Sequence, residues 1–298
     1  MGSITSRATP LFVGVLAALG LTACGSGVAT SGGAIRVVAA ENFYGDLTQQ
    51  IGGDRVQVVS ILSDPSIDPH EYESNTQDAL AVARAQLVIE NGAGYDTFID
   101  HLMSASPSSS RQVINVARIF SIPDGANPHL WYSPLFLGQV ADRIANQLGT
   151  IDPANQGRFQ AAVQTFHQQF QPVVDRVAEV RARFIGAAVL PTEQVADYLL
   201  KDAGLNPAHG PFQQAVEEGI DPPAQSVQDF QRGLRTRTVR ILIYNQQTVS
   251  TLTERMRQLS QASGVPVVGV RETMPLGSHV QDWMLQTITA VEDALSKT

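Results

Sequence analysis

The sequence is poor in cysteine, in basic residues and in long apolar segments. Cys24 is the only cysteine among the 298 residues, so the chain cannot form an internal disulfide. Lysine and arginine total 20 against 28 acidic residues, a net charge of −8, which argues against the clustered basic surface that nucleic-acid binding requires. The hydrophobic fraction of 43% is high enough for two ordinary domains with their own cores, so we expect an ordered protein.

The N-terminal segment has the pattern of an export signal. Arg7 precedes an apolar run over residues 11–21, which is too short to span a bilayer as a stable helix. Small residues precede Cys24, as in the cleavage site of a bacterial lipoprotein signal. We therefore expect a signal peptide and lipobox over residues 1–24, lipidation of Cys24, and a flexible tether over residues 25–34. A free cysteine on a small N-terminal helix is the alternative.

Two short segments share a Pro-His pair followed, two residues after the histidine, by an aromatic residue. They are DPHEYE at residues 68–73 and NPHLWYSP at residues 127–134. Proline fixes its own backbone and restricts the preceding residue, so each histidine leaves a stiff loop. One such pair is more often a turn or a packing feature, but two matched copies favour a site for a divalent transition metal, for which imidazole is a common ligand. His70 and His129 are the candidate ligands.

Apolar, β-branched runs alternate with helical patterns along two stretches of the chain. In the first stretch, strands are predicted at residues 35–40, 56–62, 86–90 and 112–116, with helices at 42–51 and 75–83. In the second, strands are predicted at residues 187–190, 241–245 and 265–270, with helices near 195–203, 227–233, 248–262 and 280–296. Strands that alternate with helices pair in parallel through crossover helices. The predicted fold class is α/β, with two Rossmann-like lobes of mainly parallel sheet at residues 35–150 and 185–298.

One long amphipathic helix is predicted between the lobes. From Pro153 to Phe184, apolar residues recur at steps of three and four. A helix of that length measures roughly 48 Å, which favours a role as the connection between the lobes. Pro172 lacks a backbone donor, so a kink near Phe170 is expected.

Two glutamates follow predicted strands of the second lobe. Glu193 comes just after the strand at 187–190, and Glu272 just after the strand at 265–270. Open parallel sheets bind ligands beyond the carboxyl ends of their strands. We therefore expect two imidazoles from one lobe and these two carboxylates from the other to hold one cation between the lobes. Either glutamate could instead be a helix-capping or surface acid, with His209 or His279 as the replacement ligand.

Other side chains are candidates to support the site. The residues expected to orient the imidazoles are Glu71, Tyr72, Glu73 and Trp131. The segment NGAGYD at residues 91–96 predicts a tight turn that presents Tyr95 or Asp96 near the site. A phosphate-binding loop is the weaker interpretation, because no Lys-Ser/Thr pair follows the glycines.

The motifs and their order resemble a known family. A lipobox, DPHEYE, NGAGYD, NPHLWYSP, a Thr-Glu pair after a mid-chain strand and VPVVGVRETMP are similar to motifs of the zinc- and manganese-binding solute-binding lipoproteins of bacterial ABC importers. The resemblance covers essentially the whole mature chain. It implies that His70, His129, Glu193 and Glu272 ligate one Zn or Mn ion. It also implies an exported monomer, lipid-anchored to the outer face of the cell membrane, that delivers the ion to ABC permease subunits.

The identity of the metal and the function class have alternatives. Many zinc-binding members carry a histidine-rich loop between the two histidine motifs, whereas residues 119–127 are short and contain no histidine. Oxygen-rich ligand sets suit manganese, but a mixed nitrogen and oxygen site binds zinc more tightly, so the choice of metal stays open. An enzyme is not expected, because no HExxH segment is present and four protein ligands leave no position for an activated water. A surface adhesion lipoprotein with a structural metal is the remaining alternative.

Overall fold

The computed structural model describes residues 1–3, 5 and 33–298. It divides into a unit of residues 1–33 and a compact unit of residues 34–298, and the fold below is that of the second unit. Most of the expected signal peptide, Cys24 and nearly all of the expected tether lie outside the described residues. Among the residues that are described, no helix is both long enough and apolar enough to cross a membrane.

The first lobe is a four-stranded parallel sheet with helices packed against it. Its elements are β1 (Ile35–Glu41), α1 (Asn42–Gly52), β2 (Val56–Leu62), α2 (Thr76–Arg84), β3 (Leu87–Glu90), α3 (Thr97–Ala105), β4 (Gln112–Asn115) and α4 (Val116–Ile119). The strand order is β2-β1-β3-β4, and all three pairings are parallel. Nearly every residue of β1 and β3 is buried, as central strands covered on both faces require.

Two helices follow the first lobe, and the second forms the predicted connection. They are α5 (Pro134–Ile151) and α6 (Gln156–Phe184). The expected long helix is thus confirmed, except that Pro153–Asn155 forms a separate 3₁₀ turn. Helix α6 contains Pro172 and buries one apolar stripe, although a kink near Phe170 stays a prediction. It packs against α5 and against α11 (Val280–Leu295).

The second lobe repeats the arrangement of the first. Its elements are β5 (Ala188–Pro191), α7 (Asp197–Asp202), β6 (Asn206–Pro207), α8 (Pro211–Glu217), α9 (Ala224–Arg235), β7 (Ile241–Asn245), α10 (Thr251–Ala262), β8 (Val267–Val270) and α11. The strand order is β6-β5-β7-β8, again all parallel. The α/β class with two parallel-sheet lobes and one long helix is therefore confirmed.

Five elements have no counterpart among the helices and strands predicted from the sequence: α3, α4, α5, β6 and α8. Helix α5 has ordinary start signals, because Ser133 caps its N-terminus and Pro134 occupies its first turn, so it is predictable in principle. Strand β6 is only two residues long and contains Pro207, as an edge strand permits. Helix α8 is only seven residues long, too short for a periodic pattern to stand out.

The lobes share one apolar core. A single cluster of buried side chains includes residues of both sheets and of α1, α5, α6 and α11. Phe43 of the first lobe stacks on Trp131, with ring centroids 4.6 Å apart, and lies 6.1 Å from Trp283 of α11. Asn42 also donates its side-chain amide to the carbonyl of Met274, 2.7 Å away, and accepts the backbone N–H of Met274 at 3.0 Å. The limits of the lobes at 35–150 and 185–298 stay a prediction, since the core belongs to both.

Candidate metal site

His70 lies in the loop that follows β2. The Asp68 side chain accepts the backbone N–H of His70 at 3.0 Å, and Pro69 begins a 3₁₀ turn that includes the histidine. This local bonding orients the residue without using its ring nitrogens. The side chain remains 30% exposed, so it is the more accessible of the two histidines.

His129 lies in the loop before α5 and is fully buried. Asn127 accepts its backbone N–H at 3.0 Å, and the same Asn127 oxygen lies 2.8 Å from Nδ1 of the ring. Because an amide oxygen only accepts, Nδ1 carries the proton, and in the neutral ring Nε2 keeps the lone pair. Within the described residues, Nε2 has no hydrogen-bond partner. A buried nitrogen whose lone pair accepts no hydrogen bond is the atom expected to bind a cation.

Glu272 follows β8 and connects the two histidines. Its Oε2 atom lies 3.4 Å from Nε2 of His70 and 3.4 Å from Nε2 of His129. Ligand atoms of these three residues all lie within 4.8 Å of one another, the one such group found among the residues that the structure describes. The hydroxyl of Tyr95 donates to the same Oε2 atom at 2.9 Å. One lobe thus brings two imidazoles to a carboxylate of the other.

Glu193 lies beside this group but outside its 4.8 Å limit. It follows β5 and is 1% exposed. The side-chain amide of Asn245 donates to Oε2 of Glu193 and to Oε1 of Glu272, both at 2.8 Å. The Oε1 atom of Glu193 is buried and accepts from no donor in the described part of the chain. Asn245 therefore holds the two carboxylates together and leaves one oxygen of Glu193 unbound.

Glu217 is a site residue that the sequence analysis missed. It ends α8, and its Oε1 atom lies 3.6 Å from Nε2 of His129. Its Oε2 atom is buried without a hydrogen-bond partner among the described residues. Glu217 and His70 line one cavity of about 750 Å³. No strand precedes Glu217 directly, so the rule that identified Glu193 and Glu272 gave no signal for it.

The close contact of acids and imidazoles changes their titration. Burial alone would lower the pKa of His70, but the hydrogen bond and charge of Glu272 outweigh it and raise that pKa to about 9. Burial and the neighbouring Glu272 charge raise the pKa of Glu193 to about 8. Burial would raise the pKa of Glu272, yet the two histidines hold it well below its usual range. When no metal ion is bound, the raised pKa values mean that His70 and Glu193 hold protons at neutral pH.

The other candidate side chains have contacts of their own. The Tyr72 hydroxyl donates to Asp78 at 2.7 Å, Glu71 and Glu73 are exposed, and the Trp131 ring lies 5.2 Å from that of His129. Their roles in orienting the imidazoles stay predictions.

The two alternative histidines lie outside the 4.8 Å group. The ring of His209 lies 2.8 Å from the carboxylate of Asp197, and the ring of His279 lies 2.8 Å from that of Asp46. Each of these imidazoles is therefore already paired with a carboxylate.

The NGAGYD segment forms a turn that presents Tyr95. The carboxylate of Asp96 accepts the backbone N–H groups of Asn91 at 2.6 Å and Gly92 at 2.8 Å. These donors are therefore occupied within the turn, which removes the basis for a phosphate-binding loop.

The protein is similar to known metal-binding proteins along most of its length. Residues 37–294 match the family model described as ZnuA, zinc-uptake complex component A, periplasmic. The manganese ABC transporter substrate-binding lipoprotein PsaA of Streptococcus anginosus is 26% identical, over 96% of this chain and 98% of its own.

Solved structures share the fold. The substrate-binding protein FpvC of Pseudomonas aeruginosa, in complex with Mn²⁺, has a TM-score of 0.72 and 21% identity over 89% of this chain and 99% of its own. A mutant of the laminin-binding adhesin Lmb of Streptococcus agalactiae has a TM-score of 0.72 and 17% identity over 88% and 99%. The family match spans nearly all of the compact unit and includes His70, His129, Glu193 and Glu272. The chain therefore belongs to the ZnuA family of periplasmic zinc-uptake components.

Proposed function

We propose that this protein captures one divalent transition-metal ion, zinc or manganese, between its lobes and delivers it to the permease subunits of an ABC importer. The observation that carries the proposal is the group formed by His70, His129 and Glu272, whose ligand atoms lie within 4.8 Å of one another. These ligands come from both lobes, so the cation is bound where the lobes meet.

The proposed ligands are His70, His129, Glu193 and Glu272. Two unpartnered buried atoms, Nε2 of His129 and Oε1 of Glu193, support this set. A buried polar atom without a partner is costly unless a ligand satisfies it. Imidazole nitrogen and carboxylate oxygen bind both zinc and manganese, so the donor types support a transition metal without choosing between the two.

Transport fits the site better than catalysis does. Family membership makes the chain a component of an uptake complex rather than an enzyme. Adhesion remains the second candidate function, and the likeness to the adhesin Lmb bears on the fold alone. A transport protein must release its cargo while folded. If a chelator removed the metal only by unfolding the protein, a structural metal and the adhesion alternative would be favoured.

We also propose that Cys24 carries the lipid that holds the protein at the outer face of the membrane. The lipobox pattern supports this assignment, and the PsaA relative is named a lipoprotein. Attached acyl chains together give stable membrane binding, whereas a single chain gives only marginal binding. The variant Cys24→Ala is expected to leave the membrane fraction. Its retention there would indicate an uncleaved apolar anchor.

Metal analysis of protein purified without chelator tests the main proposal. We expect about one zinc or manganese ion per chain, and competition between the two metals then gives their relative affinities. The variant His129→Ala should lose tight binding, whereas His101→Ala should bind like the wild type, because His101 is exposed on α3. Wild-type protein that binds neither metal would overturn the proposal.

A further inference from the structure

We infer that Glu217 is a further ligand of the captured metal and biases the site toward manganese. The inference rests on the proposed function, since it adds a donor to the same site. It assigns a role to a carboxylate that lies outside both histidine motifs and outside the two strand ends.

The position of Glu217 is set by the packing of α8 on the second lobe. Phe212 of this helix packs against Phe230 of α9, with ring centroids 4.1 Å apart. The buried side chain of Gln213 donates to the carbonyl of Pro191, at the end of β5, at 2.9 Å. Pro191 is two residues before Glu193 in the chain. Helix α8 is therefore fixed to the same strand end that presents Glu193.

The surroundings of the Glu217 carboxylate suit a bound cation. Its Oε1 atom lies 3.6 Å from Nε2 of His129, the atom left with a free lone pair. Its Oε2 atom is buried and accepts from no donor that the structure describes. The side chain is 15% exposed, so water does not fully solvate it. A cation near Nε2 of His129 would satisfy both the imidazole and the carboxylate.

A third carboxylate changes which metals the site prefers. With Glu193, Glu217 and Glu272, three carboxylates face two imidazoles. Zinc sites usually have four ligands in a tetrahedral arrangement. Carboxylate ligands and higher coordination numbers suit manganese. Glu217 therefore adds an oxygen that a manganese ion can use and that a four-coordinate zinc ion does not need.

The test compares Glu217→Gln with Glu218→Gln. The two glutamates are adjacent, but Glu218 is exposed and accepts a hydrogen bond from the side chain of Gln214 in α8 at 2.9 Å. The second variant is therefore a matched control. Competition titrations should show that Glu217→Gln loses at least about tenfold in manganese affinity and less in zinc affinity, while Glu218→Gln matches the wild type. A crystal structure of the manganese-loaded wild type should place a carboxylate oxygen of Glu217 within bonding distance of the ion.

Each result has a defined meaning. Wild-type protein that binds no metal would overturn the proposed function itself. Wild-type protein that binds metal, with equal manganese affinity in Glu217→Gln, would overturn only the role of Glu217. Weaker binding in Glu217→Gln would also overturn it if both Glu217 oxygens lay beyond bonding distance of manganese in the wild-type crystal structure, because charge alone would then explain the loss.

Discussion

The side-chain oxygen of Asn127 lies 2.8 Å from Nδ1 of His129 and also accepts the backbone N–H of the same residue. This pair fixes both the orientation of the ring and the position of its proton. Groups that bond the far nitrogen of a metal-binding histidine typically contribute about 10- to 100-fold in metal affinity. The Pro-His segment thus supplies the proposed ligand and its orienting partner together.

The first prediction concerns this partner. The variant Asn127→Ala should bind zinc and manganese about 10- to 100-fold more weakly, because the ring loses its fixed tautomer. The variant Asn127→Asp retains the accepting oxygen, adds a charge that raises the basicity of the ring, and loses the amide that donates to the carbonyl of Gln194 at 2.9 Å, so it should bind metal far better than Asn127→Ala. Equal weakening in both variants would show that the contact with Gln194, and not the tautomer, matters. Competition titration measures all three proteins.

The second prediction is that metal capture releases protons. In the metal-free protein the pKa of His70 is raised to about 9 and that of Glu193 to about 8, so both hold protons at neutral pH. The metal binds the deprotonated forms. Affinity should therefore rise as pH increases from 6 to 9, by about tenfold per pH unit for each proton released. Titration calorimetry in buffers of different ionisation heat should detect more than one proton at pH 7, and a pH-independent affinity would refute the prediction.

The third prediction ranks the two carboxylates. Glu272 belongs to the 4.8 Å group, whereas Glu193 lies outside it, and Asn245 donates to both. The variant Glu272→Gln should therefore lose more affinity than Glu193→Gln, because it removes the charge that lies between the two imidazoles. Both variants retain side-chain shape, so their metal-free thermal stabilities provide the folding control. The opposite order of affinities would indicate that the lobes rearrange around Glu193 when metal binds.

The predictable parts of the site depend on local signals. His70 and His129 are identifiable because a proline and a polar residue precede each of them, and Glu272 because an apolar strand ends just before it. Glu217 has no comparable signal. Its neighbour Glu218 has the same side chain, and only the tertiary packing of α8 turns one toward the histidines and leaves the other exposed.

The same distinction holds for the fold. The two parallel sheets are predictable from β-branched runs, whereas the core shared by the two lobes is not. That core depends on which helix faces meet after the chain has folded, as in the contact of Phe43 with Trp131 and Trp283.

The fourth prediction concerns motion between the lobes. The shared core and the paired hydrogen bonds of Asn42 with Met274 resist a wide opening, so metal release requires only a modest rotation of one lobe against the other. Small-angle scattering should give nearly the same radius of gyration with and without metal. The variant Asn42→Ala should increase the difference between the two forms. A large contraction of the wild type on metal binding would contradict this view.

The last prediction concerns a buried acid outside the proposed ligand set. Glu41 ends β1 and is 1% exposed, and neither of its oxygens has a donor within the described chain. Burial and the neighbouring Asp96 carboxylate raise the pKa of Glu41 well above 4.5. Asp96 accepts two backbone N–H groups, and burial raises its pKa to about 6. Of the two acids, Glu41 is therefore the one whose protonated form the folded protein favours more strongly.

This arrangement makes the folded protein less stable as pH rises. Above pH 4.5 the unfolded chain has lost the Glu41 proton while the folded protein retains it, so stability decreases until the folded-state pKa is passed. Each unit of pKa elevation corresponds to about 1.4 kcal/mol, or roughly 2–4 °C in melting temperature for a protein of this size. Glu41→Gln removes this titration and retains the shape of the side chain. Metal-free Glu41→Gln should lose less melting temperature than the wild type between pH 5 and pH 8, whereas the exposed control Glu73→Gln should follow the wild type. Parallel melting curves for Glu41→Gln and the wild type would show that Glu41 is not protonated in the folded protein.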